Sequence, residues 1–258
     1  MGEPVLDRVF RILQAFGPSD RSLTLTSLSV RADLPKSSAL RIVRKLVQWG
    51  ALERTARGEF VIGLRLLEIA SLAPRGHGLR ATALPYMEDL HHASGQHVLL
   101  AVRDELEAVL VERLSARQAG NVLYRVGGRL PLHATGVGLV LLANASADLQ
   151  EQVLEGDLTL TPEGERISSL ELRAPLAEVR HSGSAVVSRQ YPEPMTSVAA
   201  PVFAPDGAVI AALSVVAPLG FDATAAKVGV IAVARAVSRA ITQSTTVEPH
   251  DGVGQQHH

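Results

Sequence analysis

An amphipathic helix is predicted over the segment Leu34-Pro-Lys-Ser-Ser-Ala-Leu-Arg-Ile-Val-Arg-Lys-Leu-Val-Gln-Trp-Gly50. At about 100° per residue, its apolar side chains gather on one side of the helix. The opposite side carries only hydroxyl, cationic and amide side chains, namely Ser37, Ser38, Arg41, Arg44, Lys45 and Gln48. A face with donors and cations but no carboxylate suits a polyanion that displays base edges, and this predicts contact with duplex DNA.

The elements around this helix are predicted to form a winged helix-turn-helix. A helix over residues 5–16 comes first, and Thr24 is expected to cap a second helix over residues 25–32. A tight turn at Asp33 follows, since aspartate tolerates the left-handed conformation. After the third helix, extended runs at residues 51–54 and 59–62 predict a β-hairpin. The alternative is a small helical bundle with a solvated basic face, but the order of elements favours the DNA-binding fold.

Three polar residues of the third helix receive a specific expected role. Arg41 is predicted to contact guanine, because a guanidinium can bond its O6 and N7 together. Ser37 and Ser38 lie near the helix N-terminus, where they can bind phosphate or base edges. The complete predicted DNA-binding set is Lys36, Ser37, Ser38, Arg41, Arg44, Lys45 and, at the tip of the hairpin, Arg57.

The charge distribution agrees with a nucleic-acid-binding N-terminus. Residues 1–65 hold eleven Lys or Arg and six Asp or Glu, a net of +5, whereas the remainder has a net of −6. The chain has 258 residues, 47% of them hydrophobic, and no cysteine, which excludes disulfides and thiolate chemistry. The N-terminus has no signal-peptide pattern and no apolar run is long enough to span a bilayer. We therefore expect a soluble cytoplasmic protein with no membrane partner.

The remaining chain predicts an α+β domain with an antiparallel sheet. A helix over residues 64–73 leads to a glycine-rich break at Pro74-Arg-Gly-His-Gly78 and a further helix over residues 79–94. Alternating patterns predict strands at residues 97–103, 108–114, 122–126, 185–189, 197–203 and 208–216. Helices are expected at residues 137–143, 148–155, 171–182 and 222–242, followed by a disordered tail.

Four segments resemble the IclR family of bacterial transcription regulators. They are Leu34-Pro-Lys-Ser-Ser38 with Arg41, Phe60-Val-Ile-Gly-Leu-Arg-Leu-Leu67, Val126-Gly-Gly-Arg-Leu-Pro-Leu-His-Ala-Thr-Gly136, and Val198-Ala-Ala-Pro-Val202 followed by Ala211-Ala-Leu-Ser-Val215. The resemblance implies a winged helix-turn-helix at residues 1–63, a linker helix and hinge at 64–78, a GAF-like effector-binding domain at 79–244 and a disordered tail at 245–258. It also implies a homodimer or homotetramer on a palindromic double-stranded operator, and regulation, as a repressor, by a small molecule.

The resemblance places the effector between the helix that follows Thr135-Gly136 and the neighbouring sheet. Members that bind small keto acids carry an acid at the position of Val187 and a hydroxyl at that of Val216. The less polar residues here predict an effector with an apolar body, such as an aromatic or other organic acid. The implied effector-binding residues are Ala119, Val122, Gly136, Val137, Val187, Ser197, Ser214 and Val216.

The start of the helix at Gly136 is also a predicted anion site on physical grounds, because its first N–H groups have no partner within the helix. One alternative is that side chains fill the cavity, so that the protein binds DNA constitutively without an effector. A second alternative is an enzyme with an appended DNA-binding head. Since no catalytic triad, spaced carboxylate pair or metal-ligand pattern occurs, we expect no enzyme activity, no metal and no cofactor.

Overall fold

A computed structural model describes residues 4–17, 19–116, 119, 124–160, 164–189 and 194–246. The chain divides into two compact units, Met1–His77 and Gly78–His258. This division falls within the glycine-rich segment that the sequence pattern marks as a boundary. Each unit has its own buried apolar core.

The first unit is a winged helix-turn-helix, as predicted. Three helices and a two-stranded hairpin precede a fourth helix, and their bounds are α1 Val5–Gln14, α2 Leu25–Arg31, α3 Lys36–Trp49, β1 Leu52–Arg54, β2 Phe60–Ile62 and α4 Leu64–Ala70. The strands of the hairpin are antiparallel, and Leu23 forms an additional bridge to Phe60. Ile12, Leu28 and Val43 fill the core that orients α3.

Local signals set the ends of these helices. The Thr24 hydroxyl accepts a hydrogen bond from Ser27 N at 3.1 Å, which caps α2. Asp33 adopts φ +48° in the turn before α3, and Gly50 adopts φ +85° after it. These left-handed residues reverse the chain at the two ends of α3, which confirms the predicted turn and the predicted helix end.

The segment after α4 differs from the sequence prediction. The helix predicted over residues 64–73 ends at Ala70, and Pro74–Gly78 forms one π-helical turn immediately before α5, Leu79–Ser94. Glycine and proline were expected to interrupt the helix here. Instead, the carbonyl of Ala73 accepts hydrogen bonds from Gly76 N and His77 N, so the backbone continues to turn.

The second unit is built on one antiparallel sheet of six strands in the order β5-β4-β3-β8-β7-β6. The strands are β3 His97–Asp104, β4 Glu107–Leu114, β5 Arg129–Pro131, β6 Ala185–Arg189, β7 Met195–Phe203 and β8 Val209–Pro218. The helices after α5 are α6 Gly136–Ala143, α7 Ala147–Leu154, α8 Ser169–Ser182 and α9 Ala223–Thr246. The α+β class with an antiparallel sheet is therefore confirmed.

Helices cover both faces of the sheet. On one face, Met87 of α5 and Val230 and Val237 of α9 pack against β3, β7 and β8. On the other face, residues of α6, α7 and α8 form a second core with alternate residues of the strands. All eight residues of α6 are buried. This burial explains why α6 is apolar all round its surface.

The strand predicted at residues 122–126 is not confirmed. Val122 lies outside the described residues, and 124–126 are loop and turn. The strand instead occupies Arg129–Pro131 at the edge of the sheet, beyond Gly127 with φ +76°. An edge position tolerates Pro131, because one side of an edge strand needs no ladder hydrogen bonds. A prediction from sequence patterns misses this strand, because proline and glycine are normally read as breaks in a strand.

The predicted disordered tail begins at residue 245, but α9 extends to Thr246 and residues 247–258 lie outside the described part of the chain. No helix in the described ranges combines the length and the apolar character needed to cross a membrane.

Candidate functional site

The polar face of α3 that was identified from the sequence is exposed to solvent in the structure. Ala39, Ile42 and Val43 are buried, so the opposite face points outward. Ser38 is half-buried at the margin of this face. The exposed members are Lys36, Ser37, Arg41, Arg44, Lys45 and Gln48. They form one cationic surface, which we call the α3 face.

The charges of the α3 face are not neutralised within the described part of the protein. No hydrogen bond or ion pair to another described residue involves the side chains of Lys36, Arg41 or Arg44. Lys45 Nζ donates to Gln48 Oε1 at 3.2 Å, which leaves its positive charge uncompensated. Guanidinium and ammonium groups that have no ion pair can bind phosphate or a base edge without first breaking a salt bridge.

The hairpin adds further positive charge to the first unit. Arg57 is exposed in the turn between β1 and β2, where Gly58 adopts φ +81°. Arg54, which the sequence-based set omitted, is exposed at the end of β1. Its guanidinium is 3.4 Å from the place that a Cβ on Gly58 would occupy. The strand pairing of Arg54 with Phe60 is what brings it to the tip, so composition alone did not identify it.

The second candidate site follows from the register of four neighbouring strands. Val187 of β6 pairs with Ser197 of β7, which pairs with Val216 of β8, which pairs with His97 of β3. These four residues form a row across the sheet. The row belongs to the face that packs on α6, because Val187 and Val216 share a core with Val137.

Two residues further along each strand, a second row on the same face of the sheet contains Ala185, Ala199, Ser214 and Leu99. Ser214 is fully buried, with 0% of its surface exposed. Its Oγ has no hydrogen-bond partner among the described residues. A buried hydroxyl without a partner is costly in a fold, and such a group is available to a bound molecule.

The first residue of α6 lies directly over these rows. A Cβ added to Gly136 would be 2.5 Å from Ser197 Oγ and 3.4 Å from the Cβ of Ala199. The Thr135 hydroxyl accepts a hydrogen bond from Gly138 N at 3.1 Å and thereby caps the helix. The first-turn N–H groups and the positive end of the helix dipole are thus held beside Ser197.

A cation lies at the same end of α6. Arg189 is the last residue of β6, and its Nε donates to the carbonyl oxygen of Ala134 at 3.1 Å. Burial lowers the pKa of this guanidinium, while the nearby Glu165 and Tyr124 act to raise it. Burial raises the pKa of Tyr124, and the charge of Arg189 opposes that shift.

The structure brings most of the predicted effector-binding residues together. Gly136, Val137, Val187, Ser197, Ser214 and Val216 meet between α6 and the sheet. Ala119 is buried, and its N–H faces the carbonyl of Ala116, whose own N–H donates to His97 Nδ1. Val122 lies outside the described residues. The assignment of these residues to an effector stays a prediction.

His97 and Arg189 are the additional residues that the sequence-based set missed. Their side chains join the site through strand register, which no spacing in the sequence reveals. His133 forms a hydrogen bond with the carbonyl oxygen of Thr159 through Nε2, at 2.9 Å. Within the described ranges, no cluster of three or more His, Asp or Glu could hold a metal ion.

Comparison with known proteins identifies the family of both units. Residues 5–56 match the IclR helix-turn-helix domain, and residues 73–243 match the bacterial transcriptional regulator IclR C-terminal domain. The transcriptional regulator KdgR of Escherichia coli is 30% identical over 213 residues, covering 82% of this chain and 81% of that protein. The transcriptional repressor AllR of the same species is 27% identical over 219 residues, covering 84% and 81%.

A solved structure agrees with this assignment. An IclR homolog from Microbacterium hydrocarbonoxydans, complexed with 4-hydroxybenzoate, is 35% identical and superposes with a TM-score of 0.86, covering 93% of this chain and all of that one. Since a single family description spans well over half of the chain, with the helix-turn-helix match in front of it, the chain belongs to the IclR family of DNA-binding transcriptional regulators with a C-terminal effector-binding domain.

Proposed function

We propose that this protein represses transcription by binding a palindromic operator through the α3 face, and that an aromatic carboxylate controls this binding. The uncompensated cationic surface of α3 carries the proposal, because it suits the phosphates and base edges of the major groove. The role as a repressor draws support from the similarity to AllR, which is a named repressor. This role places the protein in the cytoplasm, where bacterial DNA lies, and requires no catalysis.

Within the proposed complex, the DNA-binding residues of α3 and the hairpin divide into two groups. Arg41 contacts guanine through both guanidinium N–H edges, while Ser37 and Ser38 bind phosphate or base edges near the helix N-terminus. The backbone-binding group holds the duplex through charge and carries no sequence information; it comprises Lys36, Arg44, Lys45 and Arg57.

We propose that a second copy of the chain pairs with the first unit. Val5, Leu6 and Phe10 of α1 are exposed, and Phe10 has 57% of its surface accessible. Further large apolar side chains are exposed along α4 and just beyond it, namely Leu64, Leu67, Ile69 and Leu72. Exposed apolar clusters of this kind are typical of interaction surfaces. A two-fold dimer would present two α3 faces to the two halves of a palindrome.

The effector site combines apolar walls with a small number of polar groups. Val137, Val187 and Val216 supply the walls, and Ser197 and Ser214 supply hydroxyls. This composition is typical of sites for small molecules with an apolar body. The similar protein from Microbacterium hydrocarbonoxydans was solved with 4-hydroxybenzoate, which supports the choice of an aromatic acid.

A second candidate is a constitutive DNA-binding protein without an effector. It is supported by the close packing of Val137, Val187 and Val216, which belong to one buried cluster. In that case the C-terminal unit would serve only in oligomerisation, and the DNA footprint would be indifferent to metabolites.

Two measurements test the proposal. The first is binding of the full-length protein to promoter fragments from its own genome at several salt concentrations. We expect affinity to fall steeply with salt because phosphate contacts release counterions. The second is titration calorimetry with panels of aromatic and aliphatic acids, together with DNA binding in their presence. Loss of all salt-sensitive DNA binding would refute the proposed regulator, and silence across both panels would favour the constitutive candidate.

A further inference from the structure

The helix α4 depends on other elements of the first unit for its position. It has seven residues, Leu64–Ala70, and none of them is buried. A helix this short is unstable alone in water, because its few hydrogen bonds do not offset the cost of nucleation. Its N-cap residue is Gly63, which has no side chain to accept the first N–H groups. The groups that fix α4 must therefore come from elsewhere in the fold.

The hairpin supplies the missing helix cap. The N–H of Leu64 donates to Oε1 of Glu53 at 3.0 Å, across eleven positions of sequence. Glu53 is the middle residue of β1, and its backbone is held by the pairing with Val61. A carboxylate at a helix N-terminus is also stabilised by the helix dipole. Glu53 thus ties the start of α4 to the wing of the DNA-binding fold.

The backbone around Gly63 is closely packed against the end of α3. Gly63 N donates to Ala51 O at 2.9 Å. A Cβ on Gly63 would lie 2.2 Å from Gly50 O, so only glycine fits at this position. Since Gly50 is the residue that ends α3, this contact sets the start of α4 against the C-terminal end of that helix.

The side chain of Arg65 makes a third contact, and this one is with α3 itself. Its guanidinium carbon lies 5.8 Å from the ring centroid of Trp49, the last residue of α3. A cation over the face of a tryptophan is attracted by the negative charge of the ring face. The same guanidinium donates from Nη1 to Glu68 Oε2 at 2.7 Å, which restrains it further.

These contacts join α4 to both elements of the first unit that are expected to contact DNA. Attachment to a strand, to a helix end and to a side chain of α3 fixes the direction of α4 as well as its origin. The exposed Leu64 and Leu67 of α4 belong to the surface on which the proposed dimer forms. A change in the direction of α4 would therefore change the separation and the relative rotation of the two α3 faces in that dimer.

We propose that Glu53, with Arg65 and Trp49, positions α4 so that the dimer selects one spacing between the two half-sites of its operator. This inference rests on the proposed function, since it assumes a two-fold dimer on a palindrome. Each added base pair moves a half-site by about 3.4 Å and rotates it by about 35°, so a fixed α4 discriminates between spacers. Glu53 is thus a positioning residue that determines specificity for spacing and not for bases.

Binding of the full-length protein to operators with different spacers tests this inference. The half-site is obtained by selection from a randomised library, and two copies are then joined by spacers that differ by single base pairs. We expect the unchanged protein to prefer one spacing by about tenfold over spacings two base pairs longer or shorter. Glu53→Ala should remove most of this preference without weakening binding to one isolated half-site. Glu53→Gln should restore part of it, because an amide oxygen can still accept the N–H of Leu64.

Glu59→Ala is the matched control. It removes the same charge from the same hairpin, but Glu59 Oε2 accepts from Ser22 Oγ at 2.6 Å and not from α4. Both alanine variants lose an anion close to the duplex, so both should bind every spacing slightly more tightly. Only Glu53→Ala should lose the preference among spacings.

The fluorescence of Trp49 reports the contact with α4 directly, because the chain has a single tryptophan. Quenching of its emission by acrylamide should increase in Glu53→Ala and in Arg65→Gln, with no DNA present. Should Glu53→Ala fail to fold, Arg65→Gln decides the question, since Arg65 is exposed and its loss should also flatten the spacing preference.

The outcomes separate this inference from the proposed function. A spacing preference that persists in both Glu53→Ala and Arg65→Gln overturns the positioning role. An equal loss of affinity for the isolated half-site also overturns it, because Glu53 would then serve only the folding of the first unit. Equal affinity of the unchanged protein for all spacings would refute the two-fold dimer on a palindrome. Loss of all salt-sensitive DNA binding would refute the regulator itself.

Discussion

Gly136, the first residue of α6, lies so close to Ser197 of β7 that a Cβ on the glycine would stand 2.5 Å from the serine Oγ. No side chain fits between them. The contact sets the distance between the helix N-terminus and the strand row that contains Val187 and Val216. It therefore determines the width of the proposed effector site at that end.

Gly136→Ala should lower the stability of the second unit, because an added methyl group forces α6 away from β7. Overpacking of this kind costs about 1–3 kcal/mol. The change should also weaken binding of any ligand seated between them. Thermal unfolding and calorimetry with 4-hydroxybenzoate measure the two effects.

Gly78→Ala is the control for this substitution, since a Cβ there meets nothing within 4 Å and φ is −63°. The double variant Gly136→Ala with Ser197→Gly should recover part of the loss by removing the side chain that clashes. Equal stability of Gly136→Ala and the unchanged protein would show that α6 can move without cost.

Ser214→Ala should raise the free energy of unfolding of the ligand-free protein by about 1 kcal/mol. The hydroxyl of Ser214 is buried without a partner, so its removal abolishes an unsatisfied polar group. Ser238→Ala is the matched contrast, because Ser238 Oγ accepts from Phe203 N at 2.9 Å and donates to Ala234 O at 2.8 Å. Chemical denaturation should show a higher free energy of unfolding for Ser214→Ala and a lower one for Ser238→Ala than for the unchanged protein. A destabilised Ser214→Ala would indicate a hydrogen bond that the buried geometry does not reveal.

Arg41→Ala and Arg57→Ala should weaken DNA binding in different ways. Arg41 is expected to read a base, so its loss should relax preference at one position of each half-site and cost about 1–3 kcal/mol. Arg57 is expected to bind the DNA backbone, so its loss should weaken binding to all DNA sequences equally. It should also reduce the slope of log binding constant against log salt concentration by about one. Selection from a randomised operator library checks the first effect, and salt titration checks the second. An unchanged selection profile for Arg41→Ala would contradict its role.

The effect of substitutions at Asp33 on thermal stability should depend more on the backbone conformation that the new residue tolerates than on its charge. The residue has φ +48°, a region that asparagine tolerates and that β-branched residues do not. Asp33→Asn should therefore unfold close to the temperature of the unchanged protein, while Asp33→Val should unfold at a clearly lower one. Asp33→Asn also removes the 3.8 Å ion pair with Arg11, so it measures the small contribution of that exposed pair.

The N-terminus of α8 should contribute a pH-dependent component to stability. Hydrogen bonds from the hydroxyl and the backbone N–H of Ser168 lower the pKa of Glu171 below its ordinary 4.5. A lowered pKa in the folded state means that this stabilisation is present above pH 4.5 and is lost as the pH falls through the folded value. Denaturation of the unchanged protein and of Glu171→Gln over pH 3–7 measures it. We expect the advantage of the glutamate to disappear at the acidic end; a constant difference would contradict the coupling.

Much of the first unit follows from local sequence patterns. The apolar spacing of α1 and α3, the hydroxyl of Thr24 and the glycine after Trp49 each act within a few residues, and the structure places α1, α2 and α3 where those patterns predict them. The missed elements are those whose environment overrides local preference. Pro131 lies in a strand because that strand is at a sheet edge, and Pro74–Gly78 keeps turning because Ala73 O accepts its hydrogen bonds.

The proposed effector site, unlike the first unit, does not follow from local sequence patterns alone. The residue types around Gly136 indicated a helix start suited to anions, but nothing local to Arg189 or His97 places them near it. They meet Ser197 and Val216 only through the pairing of β6 with β7, β7 with β8, and β8 with β3. Periodicity, capping and charge belong to neighbouring residues and can be read along the chain. Strand register joins residues more than a hundred positions apart, and it is settled only when both sheet faces become buried under their helices.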